Sequence, residues 1–326
     1  MNQVDVKISE LKDICVNALL RRGASDEEAH TVFDDYLDAE VRGRTSHGFV
    51  SFGVACDAFP LKGRFEVSAK TAATLTIHGN GDCGHIVCRK AIDLAVGECT
   101  EGVMAIGVRD ITRFNCPGPI ARYATQHGLI SIVFEYGGMN FMVPYGGKSA
   151  ALSTNPIGIA IPGTDPLFVM DIATSERAIG FVALAKLLGH EIPANWGING
   201  RGESTSDPSA LKAMQPFGGY KGYGLSLAFE ILSGALVGVP IGSKGELACR
   251  GSLIILIKPT IFGVTQEAFE VQVVEFLNEV LASEPLQSEQ PVVYPGYQSQ
   301  GRVQDAVSSG VVRLAEPVFK QLKELS

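Results

Sequence analysis

The sequence predicts a mixed α/β (α+β) protein, and three observations favour that class. The chain has 326 residues, which is enough for one large core or two domains. Hydrophobic residues make up 46% of the chain and 37 glycines interrupt them, a composition typical of globular rather than disordered proteins. Segments with helical periodicity alternate with short apolar segments typical of strands. We therefore expect helices packed on at least one sheet.

Two amphipathic helices are predicted near the N-terminus. Residues 9–23 place apolar side chains at helical spacing. Residues 25–43 begin with Ser25 and Glu28, whose spacing is that of a capping box. The segment FVSFGVACDAF, residues 49–59, predicts a third helix.

Strands and helices then alternate along the chain. The predicted strands are residues 71–79, 102–110, 129–137, 155–163, 167–173 and 251–259. The predicted helices are residues 85–99, 118–128, 175–189, 221–238, 265–283 and 315–325. The short distance between the strands at 155–163 and 167–173 favours a hairpin, and residues 194–219 are rich in loop-forming residues.

Charge and cysteine content argue against several classes of protein. The net charge is −8 and no basic patch stands out, so nucleic acid is not an expected partner. No leader segment and no apolar run of ~20 residues is seen, so we expect no membrane span. Seven cysteines are an odd number, which favours reduced thiols in the cytoplasm. Cys83, His85 and Cys88 lack the spacing of a zinc site, so no metal is expected.

The segment GNGDCG, residues 79–84, matches the glycine pattern of a dinucleotide-binding turn between a strand and a helix. The acidic residue expected about 20 positions later is only roughly met by Asp110. Both interpretations stay open from the pattern alone: a phosphate-binding turn or a plain glycine-rich turn.

Several segments together resemble one family. They are DAEVRGRTSHG, YGGKSAALSTNPIGIAIPG, FVMDIATS, PFGGYKGYGLSLAFEILSGALVG and VVYPG. In their order and in their amino-acid sequence they are similar to the malate/L-lactate dehydrogenase family of the second type. Its members include ureidoglycolate, sulfolactate and diketogulonate dehydrogenases and piperideine carboxylate reductases. The resemblance runs from about residue 8 to the C-terminus.

This resemblance implies a fold and an activity. The expected fold is a non-Rossmann NAD(P)-binding domain with a large, mainly antiparallel sheet, at about residues 71–219. A helical, substrate and dimerisation domain would combine residues 1–70 with about 220–326. The glycine-rich turn at 79–84 would then serve only as a turn. The implied activity is NAD(P)H-dependent reduction of a 2-oxo acid or a cyclic imine by a homodimer.

The same resemblance implies particular site residues. Reduction of a C=O or C=N group needs a proton donor, and histidine has a suitable pKa, ordinarily ~6.5. The family's Ser-His pair corresponds to Ser46 and His47, with His47 as proton donor. The resemblance also implies cofactor contacts in three further segments. The third is residues 295–302, where Tyr297 departs from the family. The positions in the first two segments are Asp171, Ile172, Ala173, Thr174, Ser175, Tyr220, Lys221 and Gly222. NAD and NADP both remain candidates, with NADPH slightly favoured because Lys221 and Arg177 could face a 2′-phosphate.

The substrate side departs from the family. The arginine that usually follows the histidine by four residues is Ser51, and the family's second histidine is Arg113. The family's TNSG motif aligns with Glu135, Tyr136 and Gly137. With Thr154 these positions are the candidate substrate contacts.

Two explanations fit these departures. Either Arg113 replaces the lost carboxylate-binding arginine, or the substrate has changed and Glu135 and Tyr136 bind a cationic or hydroxylated group. We favour an altered substrate. A different class of function is also considered: a binding protein or non-redox enzyme that reuses the family fold.

Overall fold

The computed structural model describes residues 3–63, 65–99, 101–112, 115–163, 168–246 and 249–326. The helices are α1 (Ile8–Leu20), α2 (Asp26–Val41), α3 (Phe52–Cys56), α4 (Gly84–Glu98), α5 (Pro117–Thr125), α6 (Ile179–Leu188), α7 (Tyr220–Ser233), α8 (Gln266–Leu281), α9 (Tyr297–Ser309) and α10 (Glu316–Leu325). The strands are β1 (Gln3–Lys7), β2 (Glu66–Lys70), β3 (Thr74–Asp82), β4 (Val103–Ile111), β5 (Ile130–Tyr136), β6 (Ile157–Ile161), β7 (Phe168–Ile172), β8 (Gly197–Asn199), β9 (Leu211–Met214), β10 (Arg250–Ile257) and β11 (Val311–Ala315). The predicted mixture of helices and strands is confirmed.

The two ends of the chain form one helical layer. Strand β1 pairs antiparallel with β11, and α1, α2 and α10 bury their apolar faces in a shared core. The predicted capping box at the start of α2 is confirmed. The Glu28 N–H donates to the Ser25 hydroxyl at 3.3 Å, and the Ser25 N–H donates to the Glu28 carboxylate at 3.0 Å. Such a cap stabilises a helix by about 1 kcal/mol, so α2 begins at a fixed residue.

A seven-stranded sheet forms the rest of the core, in the order β2-β3-β4-β10-β5-β6-β7. Neighbouring strands are antiparallel except β3 and β4, which are parallel and joined through α4. The predicted hairpin of β6 and β7 is confirmed. Alternate side chains enter two apolar clusters on opposite faces: Ile254 packs with Ile92 and Ile120, whereas Leu253 packs with Phe229. Burial on both faces explains why the central strands are almost continuously apolar.

The glycine-rich segment 79–84 closes β3 and leads into α4. A Cβ on Gly79 would lie 2.5 Å from the Ile111 side chain and 3.0 Å from the Asp110 carbonyl oxygen. Asn80 has a φ of 52° and Gly81 a φ of 83°. Glycine at position 79 therefore permits the close approach of β3 and β4, which is the structural interpretation of this motif.

Several regions differ from the sequence prediction, and strands β1, β2 and β11 were not predicted. Residues 49–59 form a 3₁₀ turn, Phe49–Ser51, and the short helix α3 rather than one helix. The Ser51 hydroxyl donates to the Gly48 carbonyl at 3.1 Å, which supports the tighter turn. The loop-rich segment contains the ribbon β8–β9, and α9 forms from a polar segment without a predicted helix. Among the described helices, none is both long and apolar enough to span a bilayer.

Candidate functional site

A cavity of roughly 1020 Å³ opens where strands β5, β7 and β10 of the seven-stranded sheet end or begin. The parts of the chain that line it include the turn after α2, the ends of β5 and β10, the connection from β7 into α6, the residues before α5 and β6, and the segment that leads into α9. Small-molecule sites usually occupy about 300–1,000 Å³. The cavity is therefore large enough for a ligand of cofactor size and a small molecule beside it.

The cavity brings together about half of the residues that the sequence predicted. Those that line it are Ser46, His47, Glu135, Thr154, Asp171, Ile172, Ala173 and Ser175. The predicted residues that the structure describes outside its wall are Ser51, Tyr136, Thr174, Tyr220, Lys221 and Gly222. Arg113 lies outside the described residues.

Ser46 and His47 lie side by side on a 3₁₀ turn, Thr45–His47, at the cavity wall. The Ser46 hydroxyl is 2.9 Å from Nδ1 of His47, and which atom donates depends on the histidine tautomer. Ser46 is buried, and the Asn115 side-chain amide donates to the His47 carbonyl oxygen. Hydrogen bonds thus position His47 at Nδ1 of its imidazole and at its backbone carbonyl oxygen.

A buried carboxyl group supports this turn from behind. Glu40 accepts a hydrogen bond of 2.8 Å from the Phe49 N–H. A Cβ on Gly48 would lie 1.9 Å from Oε2 of Glu40, so only glycine fits between the carboxyl group and the turn. Burial raises the pKa of the Glu40 carboxyl to about 7, and the bond from Phe49 partly opposes that increase.

Ser51 faces away from the cavity. Its hydroxyl donates to the Gly48 carbonyl at 3.1 Å and lies 3.4 Å from Oδ1 of Asn115. The Tyr36 hydroxyl donates to the Ser51 carbonyl oxygen at 3.4 Å. In this arrangement Ser51 stabilises the turn that carries His47, and Asn115 joins it to His47.

Five arginines line the cavity, against three acidic residues. The arginines are Arg42, Arg44, Arg177, Arg250 and Arg302, and the acids are Glu135, Asp171 and Glu176. The whole chain carries a net charge of −8, so this positive excess is local. A cavity with that balance attracts anionic ligands.

Several of these arginines already have acidic partners. Nη1 of Arg44 donates to the Asp171 carbonyl oxygen at 2.6 Å and lies 3.4 Å from its carboxylate. Nε of Arg42 donates to Asp38 at 2.7 Å. Arg177 is exposed, and its guanidinium lies 4.0 Å from the centre of the Phe181 ring. The exposed Arg177 and Arg302 are therefore the cations at the outer part of the cavity.

The strand end at residues 171–175 is held in place by its neighbours. The Gly118 N–H donates to the Asp171 carboxylate at 3.1 Å, and the Thr174 hydroxyl donates to the Thr154 carbonyl at 2.8 Å. The Ser175 hydroxyl donates to the Arg177 carbonyl at 2.7 Å. Thr174 is fully buried behind the wall, whereas Ile172 is exposed.

The start of α7 lies apart from the cavity of a single chain. Tyr220 is 64% exposed, and its ring packs against that of Tyr145 at 6.4 Å. A Cβ on Gly222 would lie 2.2 Å from the Phe217 carbonyl oxygen, so glycine permits the turn into α7. The structure therefore brings neither Tyr220 nor Lys221 to the His47 side.

Comparison with known proteins gives this geometry a context. The family model described as malate/L-lactate dehydrogenase matches residues 6–323. The chain belongs to the malate/L-lactate dehydrogenase family. It is 34% identical over 273 residues to an L-sulfolactate dehydrogenase from Methanothermobacter thermautotrophicus, covering 79% of this chain and 80% of the relative. It is a dehydrogenase of the NAD(P)-dependent class, as its family membership shows.

Solved structures of this family have the same fold. A dehydrogenase from Sinorhizobium meliloti superposes with a TM-score of 0.91 at 29% identity, covering 99% of this chain and 98% of that one. A Δ1-piperideine-2-carboxylate reductase from Pseudomonas syringae superposes with a TM-score of 0.83 at 25% identity, covering 99% and 100%. The resemblance inferred from the sequence motifs is confirmed.

The departures from the family pattern lie at different depths. Glu135 lines the cavity, while the side chain of Tyr136 is buried behind it. Within the described residues the Tyr136 hydroxyl has no hydrogen-bond partner, and burial raises its pKa to about 12. Of the two neighbours, only Glu135 is therefore placed to touch a ligand in this dehydrogenase.

Four cavity arginines were missed by sequence reasoning, and one of them, Arg42, lies in the motif DAEVRGRTSHG. Arg44 lies two residues before the Ser46–His47 pair, and Arg302 ends the segment PGYQSQGR, so their positions within quoted motifs were available signals. Arg250 had no such signal, because it reaches the cavity only through the pairing of β10 with its neighbours.

Proposed function

We propose that this dehydrogenase uses NAD(P)H to reduce a C=O or C=N group of a small 2-oxo acid or cyclic imine, with His47 as proton donor. The observation that carries the proposal is the Ser46–His47 pair, 2.9 Å apart, at the wall of a cavity rich in arginine. The family match and the piperideine carboxylate reductase neighbour support both kinds of substrate group.

The residues of the chain would handle the proton. A bound nicotinamide cofactor supplies the hydride to the substrate carbon. Negative charge then develops on oxygen, or nitrogen needs a proton, and a positioned histidine accelerates this step by about 10²–10⁴-fold. Because Nδ1 of His47 faces Ser46, Nε2 is the atom that would exchange the proton with the substrate. Ser46 acts by orienting the ring.

The cavity suits an anionic cofactor and substrate. The exposed Arg177 and Arg302 support cofactor phosphates at its outer part, and NADPH is slightly favoured because such cations suit a 2′-phosphate. The wall at Asp171–Ser175 supports cofactor binding there. Arg113 remains our alternative anchor for the substrate carboxylate, and Arg113→Met should then raise the KM of a 2-oxo acid.

The proposed domains follow the family's non-Rossmann arrangement. A sheet domain centred on residues 71–219 would bind the cofactor, and a helical domain from both chain ends would complete the site. Strand β10 pairs with β4 and β5 at the centre of the sheet. The proposed cofactor domain therefore includes Arg250–Ile257, which lies beyond the boundary expected from the sequence.

A cytoplasmic homodimer is the proposed form of the enzyme. Helix α7 and the turn after it expose large apolar side chains: Leu225, Leu227, Ile231 and Leu236. Burial of this face against a second copy would also account for Tyr220 and Lys221, which lie outside the cavity of one chain. Those two residues would then contribute to a site near the subunit interface.

Cofactor titration tests the proposal. Trp196 is the single tryptophan, and its ring lies 5.7 Å from the guanidinium of Arg177 at the cavity. Fluorescence titrations with NADH and NADPH should therefore report binding. His47→Ala should keep the Kd and lose about 10²–10⁴-fold in kcat, whereas His190→Ala, at an exposed histidine, should match the wild type. Absence of binding by both cofactors would leave the non-redox alternative.

A further inference from the structure

Two opposite charges lie together at the strand ends that form the inner part of the cavity. Strand β5 ends at Tyr136, and β10 begins beside it at Arg250. Ser252 of β10 is paired with Glu135 of β5. This register brings Nη1 of Arg250 to 4.0 Å from Oε1 of Glu135, and both residues line the cavity.

This ion pair is buried. The Glu135 side chain is 4% exposed and the Arg250 side chain 13% exposed. Removing two charges from water is costly, and a pair of hydrophobic residues is often at least as stable. A separation of 4.0 Å is also too long for a direct hydrogen bond between these two atoms. A contribution to fold stability is therefore a weak explanation for charges at this position.

Glu135 is the acid that lies beside Arg250 at this end of the cavity. Asp171 is held by Arg44 and by the Gly118 N–H. Arg177 and Arg302 are exposed, at the outer part proposed for cofactor phosphates. A substrate at the inner end would therefore meet one guanidinium and one carboxylate side by side.

We propose that Glu135 and Arg250 form a specificity pair that rejects dianionic 2-oxo acids and selects those with an N–H donor at the far end. Arg250 attracts the single carboxylate of the substrate, and Glu135 accepts a hydrogen bond from an amide or ammonium group. A second carboxylate would lie against Glu135 and be repelled. The inference rests on the reduction of 2-oxo acids proposed above.

Matched substrate pairs test the inference directly. Oxaloacetate and 2-oxoglutarate are each compared with their ω-amides, 2-oxosuccinamate and 2-oxoglutaramate, whose open-chain forms have nearly the same shape but one negative charge fewer. NAD(P)H consumption gives kcat/KM for each member of a pair. The wild type should prefer at least one amide over its acid by about tenfold or more. A substrate that leaves a buried polar group of the site unpaired is strongly discriminated against.

Glu135→Gln should remove this preference while keeping the shape of the side chain. We expect the ratio of kcat/KM for amide over acid to fall at least about tenfold, mainly through a lower KM for the acid. Glu176→Gln removes an acid from the same cavity and should leave the ratio within about twofold of the wild type. Arg250→Met should raise the KM of acid and amide alike.

The outcomes separate the inference from the proposed function. If the wild type reduces no 2-oxo acid or cyclic imine with either cofactor, the proposed function fails and the inference with it. If it reduces cyclic imines alone, if it uses the dianions as well as the amides, or if it uses neither amide, only the inference fails. The wild-type ratios decide this even if Glu135→Gln does not fold.

Discussion

The carboxyl group of Glu40 accepts a hydrogen bond from the backbone N–H of Phe49, two residues after His47, at 2.8 Å. A single buried acid thereby joins helix α2 to the 3₁₀ turn Phe49–Ser51, which directly follows the turn of the proposed proton donor. The bond is compatible with a protonated or an ionised carboxyl group, since both accept from an N–H. Burial nevertheless favours the protonated form, and that preference gives Glu40 a measurable signature.

Stability should fall with rising pH because of Glu40. Its pKa is about 7 in the folded protein, against an ordinary value of 4.5. The folded state therefore binds the proton more tightly, so the stabilisation is complete below pH 4.5 and is lost as the pH rises to about 7. This difference in pKa corresponds to roughly 3 kcal/mol. Urea unfolding at pH 5 and pH 7.5 should show a decrease in the unfolding free energy of the wild type and a smaller decrease in Glu40→Gln. Equal decreases in the two proteins would contradict the prediction.

Ser46→Ala should slow turnover without weakening substrate binding. The Ser46 hydroxyl is the partner of Nδ1 of His47 at 2.9 Å, and its loss leaves the imidazole less well oriented. A missing neutral hydrogen bond is worth about 1 kcal/mol, so kcat should fall roughly tenfold or less while KM stays near its wild-type value. Ser46→Thr, which keeps a hydroxyl, serves as the comparison. A rise in KM alone, with kcat unchanged, would speak against an orienting role.

Gly180→Ala, in α6, should displace the turn that carries Ser46 and His47. A Cβ on Gly180 would lie 2.6 Å from the Ser46 carbonyl oxygen and 2.9 Å from its Cβ. The backbones would have to separate, so we expect a loss of about 1–3 kcal/mol in unfolding free energy and a lower kcat. Gly97→Ala, in α4, is the matched control because no atom beyond its chain neighbours and the backbone of its own helix lies within 4 Å of the added methyl. That variant should gain stability by about 0.5–1 kcal/mol, and equal effects of both would refute the prediction.

Local signals were predicted correctly from the sequence. The capping box of Ser25 and Glu28 depends on residues three positions apart, and the β6–β7 hairpin joins neighbouring segments. Strand β10 was expected as a buried strand, but its place between β4 and β5 depends on pairings with residues more than 100 positions away. Periodicity carries no information about such distant partners, so the order of the strands in the sheet required the structure.

The same distinction applies to the cavity. The Ser46–His47 pair is contiguous in sequence and was found through its motif. The ion pair of Glu135 and Arg250 joins residues 115 positions apart, so the sequence indicated Glu135 only as a departure from the family and did not indicate Arg250. The orientation of Ser51 also required coordinates, since its backbone position alone does not reveal that its hydroxyl returns to Gly48.

Charged substitutions on α7 and the turn after it should separate the proposed homodimer. Ile231 is 52% exposed and Leu236 64% exposed, and both would be buried against a second copy. An unpaired charge buried in such an interface is strongly unfavourable. The double variant Ile231→Glu, Leu236→Glu should therefore have a mass near the 34.6 kDa of one chain by light scattering. The wild type should have twice that mass. Leu286→Glu, at a fully exposed leucine, is the control and should stay dimeric. A wild-type mass of one chain would refute the dimer, and an unchanged mass in the double variant would show that α7 is not the interface.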